Sequence, residues 1–90
     1  MNFLHIEVEL GANQAVEVTL RGVASHVYLF DAQNFLKFKN GQRTSGFGGY
    51  FDQSPAVVAA PRPGHWNLVI YPAGTGTVSA SYRIVEARAA

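Results

Sequence analysis

Phe3-Leu4-His5-Ile6-Glu7-Val8-Glu9-Leu10 alternates between apolar and polar side chains along its whole length. Successive side chains of a β-strand point to opposite faces, so Leu4, Ile6, Val8 and Leu10 share one face while His5, Glu7 and Glu9 share the other. That is the signature of a half-buried strand. Ala15–Arg21 repeats it, with Val16, Val18 and Leu20 inward and Glu17, Thr19 and Arg21 outward. A one-residue slip in either strand would carry carboxylates into the core, which specifies the register. Gly11-Ala12-Asn13-Gln14 has turn chemistry. So short a link predicts a hairpin, with Glu17 as a cross-strand neighbour of Glu7 and Glu9.

The pattern continues outward from this pair. After Gly22, Ser25–Asp31 is apolar on both faces through His26-Val27-Tyr28-Leu29-Phe30, which predicts a central strand covered on both sides. Asp31 is placed to cap a short helical turn near residues 32–39, with Phe35 and Phe38 on one side. Residues 42–53 are the least regular part, with four glycines from Gly41 to Gly49 and aromatics at Phe47, Tyr50 and Phe51. Ser54–Ala60 reads as a short strand entered at Pro55, where a missing N–H does least harm. Pro61-Arg62-Pro63-Gly64 is a turn. His65–Tyr71 presents Trp66, Leu68 and Ile70 to the core. In Thr77–Val85, Val78, Ala80, Tyr82 and Ile84 oppose Ser79, Ser81 and Arg83. Six strands spaced about ten residues apart, without a long helical pattern, predict an all-β fold. The expectation is a small two-layer β-sandwich of about six to seven mainly antiparallel strands, forming one domain over residues 1–86. Residues 87–90 are expected to be a frayed tail.

Of the 90 residues 48% are hydrophobic and 14% charged, a globular composition. No cysteine is present, so neither a disulfide nor a thiolate-bound metal staples so small a core, and apolar packing or self-association must stabilise it. The N-terminus lacks a basic segment followed by an apolar run, and no stretch of about 18 apolar residues occurs. The chain is therefore expected to be cytoplasmic and to have no membrane partner. Net charge is +1, which argues against nucleic acid as a strongly held partner. The balance is −3 over residues 1–31 and +3 over residues 32–66, so the middle of the chain is mildly basic.

Met1-Asn2-Phe3-Leu4-His5, Val16-Glu17-Val18-Thr19-Leu20-Arg21-Gly22, Asp31 through Asn34-Phe35, Lys39-Asn40-Gly41 with Arg43, Gly48-Gly49, Ser54-Pro55 and Pro63-Gly64-His65-Trp66 occur in this order. In this the chain resembles a family of small bacterial domains, domain of unknown function 1883. Departures lie at Val23-Ala24-Ser25-His26 and at Pro72-Ala73. The resemblance implies a sandwich-like fold, found free-standing or beside bacterial signalling domains of the Toll/interleukin-receptor type. It implies no activity.

His5, His26 and His65 lie on separate predicted strands without the short spacing of a zinc site, so no metal and no cofactor is expected. Gly46-Phe47-Gly48-Gly49 lacks the following Lys-Ser/Thr of a phosphate loop. In Pro63-Gly64-His65-Trp66, Gly64 permits a turn and Trp66 plugs the core. The richest surface is residues 35–65, where aromatic faces can stack on rings and cations can meet anions. The candidate ligand-binding residues are Lys37, Lys39, Arg43, Phe47, Tyr50, Arg62 and His65, and no catalytic residue is assigned. The leading expectation is a non-enzymatic module that binds a small anionic or glycan-like ligand, or a protein, through this region. The alternatives are a small enzyme using His65 as a proton carrier and a weak nucleic-acid binder. A homo-oligomer is a further expectation.

Overall fold

The computed structural model describes residues 2–86. The described residues form seven strands and one helix: β1 (Leu4–Leu10), β2 (Gln14–Gly22), β3 (Ser25–Phe30), α1 (Ala32–Lys39), β4 (Phe47–Phe51), β5 (Ala56–Ala59), β6 (Gly64–Pro72) and β7 (Val78–Glu86). They make two sheets, one in the order β1-β6-β3-β4 and the other in the order β5-β2-β7. All pairings are antiparallel. The inward faces meet as the alternation demands. Val8, Leu10, Val27, Leu29, Trp66, Leu68 and Ile70 from the larger sheet pack on Val16, Val18, Ala56 and Val58 from the smaller. Trp66 is 1% exposed and plugs this core.

Two expectations are corrected. β1 and β2 are not a hairpin, because β1 pairs with β6 while β2 pairs with β5 and β7. The turn at residues 11–14 carries the chain from one sheet to the other. Alternation determines which face of a strand is buried, and both strands keep that face; it says nothing about which strand lies alongside. Glu17 consequently lies opposite Val57 and Arg83 and not beside Glu7 or Glu9. Secondly, the irregular glycine-rich stretch contains β4, which faces Phe47, Gly49 and Phe51 inward from beside Leu29, Val27 and Ser25.

The expected helical turn is a full eight-residue helix. Asp31 caps it by accepting the Asn34 N–H at 2.8 Å, and Lys37 and Lys39 in its last turn complement the negative end of its dipole. The helix lies on the outer face of the larger sheet. Phe35 stacks on His5 at 4.1 Å between ring centroids, and Phe38 meets Phe3 edge-on at 5.0 Å. This is the second cover that the doubly apolar β3 requires. No described helix is long and apolar enough to cross a membrane. The tail expected at residues 87–90 lies outside the described residues.

Candidate functional site

The outer face of β3 carries His26, Tyr28 and Phe30 at alternate positions, so they form a row along the strand. Tyr71 of β6 lies directly opposite His26, with ring centroids 5.0 Å apart. Tyr28 stacks on Phe30 at 5.4 Å, and Phe38 of α1 closes over Phe30 at 5.1 Å and Tyr71 at 5.6 Å. Between these rings and residues 44–46 opens a recess of about 310 Å³ lined by Tyr28, Phe30, Phe38, Thr44, Ser45, Gly46 and Tyr71.

Local chemistry holds each wall. Thr44 donates its hydroxyl to Asn34 Oδ1 at 2.7 Å, tying the segment after the helix back to the helix's first turn. A Cβ on Gly46 would fall 2.6 Å from the Phe30 ring, so only glycine lets the chain pass this close. Gly48 faces Tyr28 across β3 and β4 and adds no side chain beside it. Burial pushes the Tyr71 phenol above 10.0, with Tyr28 adding to the shift, so at neutral pH it is an intact O–H donor and acceptor. Beside this wall His26 Nδ1 is buried without a hydrogen-bond partner.

The residues proposed from sequence do not converge. Lys37 and Lys39 are on α1, and Lys39 Nζ lies 5.4 Å from the Phe35 ring, toward the β1 side. Arg43 is exposed after the helix. Phe47 faces inward and meets Trp66 edge-on at 5.7 Å. Arg62 lies over the Trp66 ring at 4.7 Å, 3.7 Å from Asp31, and its carbonyl accepts the Trp66 Nε1–H at 3.2 Å. Tyr50 is 57% exposed beside His26. His65 stands on the outer face of β6 between two carboxylates, with Nδ1 2.6 Å from Glu9 and Nε2 3.0 Å from Glu7.

That last arrangement bears on catalysis. The Glu9 hydrogen bond is the main reason His65 titrates above 6.5, opposed by desolvation and reinforced by the charges of Glu9 and Glu7. A general base needs a free ring nitrogen within reach of a substrate proton. Here both nitrogens are engaged, and His65 acts as an ionic clasp between β1 and β6. No group of three or more His, Cys, Asp or Glu that could hold a metal occurs among the described residues.

Of the lining residues, Phe38, Thr44, Ser45 and Gly46 fall within the region 35–65 expected from sequence but are not among its named candidates, and Tyr28, Phe30 and Tyr71 fall outside it. The signal was present in the alternate aromatics of His26-Val27-Tyr28-Leu29-Phe30, which marked a second face needing cover. The pairing of that face with Tyr71 was not visible along the chain.

Compared with known families, the chain matches the one described as Domain of unknown function (DUF1883) over residues 1–88. The chain belongs to this family. No match was found among curated proteins or among solved structures. Membership in DUF1883 therefore brings no activity with it, and the chemistry of the site has to be argued from the side chains themselves.

Proposed function

We propose that this DUF1883 domain is a non-enzymatic binding module, and that the recess on its larger sheet takes a small neutral ring of the glycan type. One observation carries this reading: four aromatic rings and a glycine form a recess of about 310 Å³ with hydroxyls among its lining groups. That volume is at the lower end of ligand pockets, on the scale of one or two sugar rings. Apolar C–H faces of a pyranose lie well against aromatic rings, while Tyr71, Tyr28 and Ser45 supply hydroxyls for its edges. The lining contains no cation, which favours a neutral ligand over an anionic one. A cysteine-free chain fits a cytoplasmic setting, where we place the module.

Titrating isotopically labelled protein with methyl glucoside, methyl N-acetylglucosaminide and the anionic methyl glucuronide tests the reading. The expected result is saturable amide shifts at Tyr28, Gly46 and Tyr71 with a neutral glycoside. Tyr28→Phe should weaken them and Tyr71→Ala should abolish them. Shifts that survive Tyr71→Ala, or no saturable shift with any of the three, would remove the recess as the site.

A further inference from the structure

We propose that β7 is the surface through which two copies of this chain associate, pairing antiparallel about Tyr82 and joining their smaller sheets into one. β7 is an edge strand nine residues long, bonded on one side to β2. Among the described residues nothing pairs with its other side. Sheet edges are commonly blunted by charge, proline or shortness, because free N–H and C=O groups invite another strand. The other three edges show such devices. β1 carries Glu7 and Glu9, β4 has five residues, and β5 has four and follows Pro55. β7 has no proline and no glycine, and its central cation is already neutralised, with Arg83 Nε 2.6 Å from Glu17.

Its inward row is also incompletely covered. Tyr82 and Ile84 lie opposite the fully buried Val18 and Val16, yet are 43% and 36% exposed. Leu4 of β1, itself 39% exposed, lines a recess together with Val78, so the β1 and β7 edges border one apolar flank.

The backbone selects the occupant. Val23 N–H donates to Thr77 O at 3.2 Å. In an antiparallel ladder bonded and non-bonded positions alternate, so the odd-numbered residues of β7 turn their N–H and C=O toward β2. Val78, Ala80, Tyr82, Ile84 and Glu86 turn theirs away, to the free edge. A two-fold axis through Tyr82 sets Tyr82 against its copy, Ala80 against Ile84 and Val78 against Glu86. All of these are outward-bonding positions, and the pairing uses the whole strand. Ser81 then stands opposite Arg83, and no like charges face each other. Centring on Arg83 would oppose two guanidinium groups and leave Val78 and Ser79 without a partner within β7. Centring on Ile84 would leave Val78–Ser81 without a partner within β7. The strand is thus complementary to itself in charge, apolar row and hydrogen bonding, as a two-fold interface requires.

Sedimentation velocity from about 2 to about 200 µM tests this, since association follows mass action. Wild type should reach twice the mass of one chain, and Ile84→Lys should remain monomeric. The absence of native cysteine permits a second test that adds no charge to the edge. Under mild oxidation Tyr82→Cys should cross-link to its own copy, because the paired Cα atoms would be within disulfide reach. Ser79→Cys should not, since that position and its copy would be ~20 Å apart along the strands. A wild-type chain that stays monomeric at the highest concentration overturns the proposal. So does a dimer that survives Ile84→Lys, or a Ser79→Cys chain that cross-links as fast as Tyr82→Cys. The recess on the larger sheet lies on another face, so its titration is independent of either outcome.

Discussion

His65 shows how the same side chain reads differently in one dimension and in three. Along the chain it sits in Pro63-Gly64-His65-Trp66 without a partner, and a proton carrier was a reasonable alternative. In the fold β1 runs beside β6, and Glu9 lies directly across from His65. The Glu9 hydrogen bond raises the folded pKa above 6.5. The clasp therefore contributes stability that is fully present below about pH 6.5, the unfolded value, and is lost as pH rises through the folded pKa. Because the group is solvated, salt should weaken the effect. Following the imidazole protons by NMR, we expect a wild-type midpoint above 6.5 that falls toward 6.5 in Glu9→Gln. A wild-type midpoint at or below 6.5 would contradict the clasp. Trp66, by contrast, was legible from its place in an alternating strand, and it occupies the core as expected. Burial follows from pattern, whereas partnership across 56 residues does not.

At the scale of elements, strands with alternating side chains were legible and β4 was not. Phe47-Gly48-Gly49-Tyr50-Phe51 has two glycines where a strand normally shows its packing side chains, so the pattern is erased. The glycines are what allow the strand to sit there. Gly48 has φ 132°, and a Cβ on it would fall 2.0 Å from the Val27 carbonyl oxygen of β3. Gly48→Ala must either strain the backbone or separate β4 from β3. Residues forced into such conformations cost ~1–3 kcal/mol. Gly74 has open space around its Cβ position, so Gly74→Ala should change stability by no more than ~0.5 kcal/mol. Urea denaturation of the two variants measures the contrast, and amide exchange should be faster at Val27 and Gly49 in Gly48→Ala alone. Equal stabilities would show that β4 is loosely held. The helix was easier to foresee because its determinants are local: an Asp cap, two last-turn lysines, and aromatics three residues apart.

For the whole molecule, the two layers were legible while the assignment of strands to layers was not. Each strand's inward face follows from its own residues, but its neighbours follow from how the complete set closes around Trp66. The same closure leaves the smaller sheet at three strands, with β7 open along one flank. A small domain without disulfides has little stability in reserve, so what covers that flank should register in the melting temperature. If folded chains are held as pairs, each tenfold rise in concentration favours the dimer by ~1.4 kcal/mol, or ~0.7 kcal/mol per chain. With a sensitivity of about 4–8 °C per kcal/mol for a domain of this size, the transition should rise by up to ~3–6 °C per decade of concentration. Calorimetry over two decades reads this directly. Ile84→Lys should melt at a concentration-independent temperature, because a charge on the open edge prevents pairing while leaving the β2 ladder intact. A wild-type transition equally flat would mean that the three-stranded sheet is stable with its edge exposed, and that β7 has no second copy to meet.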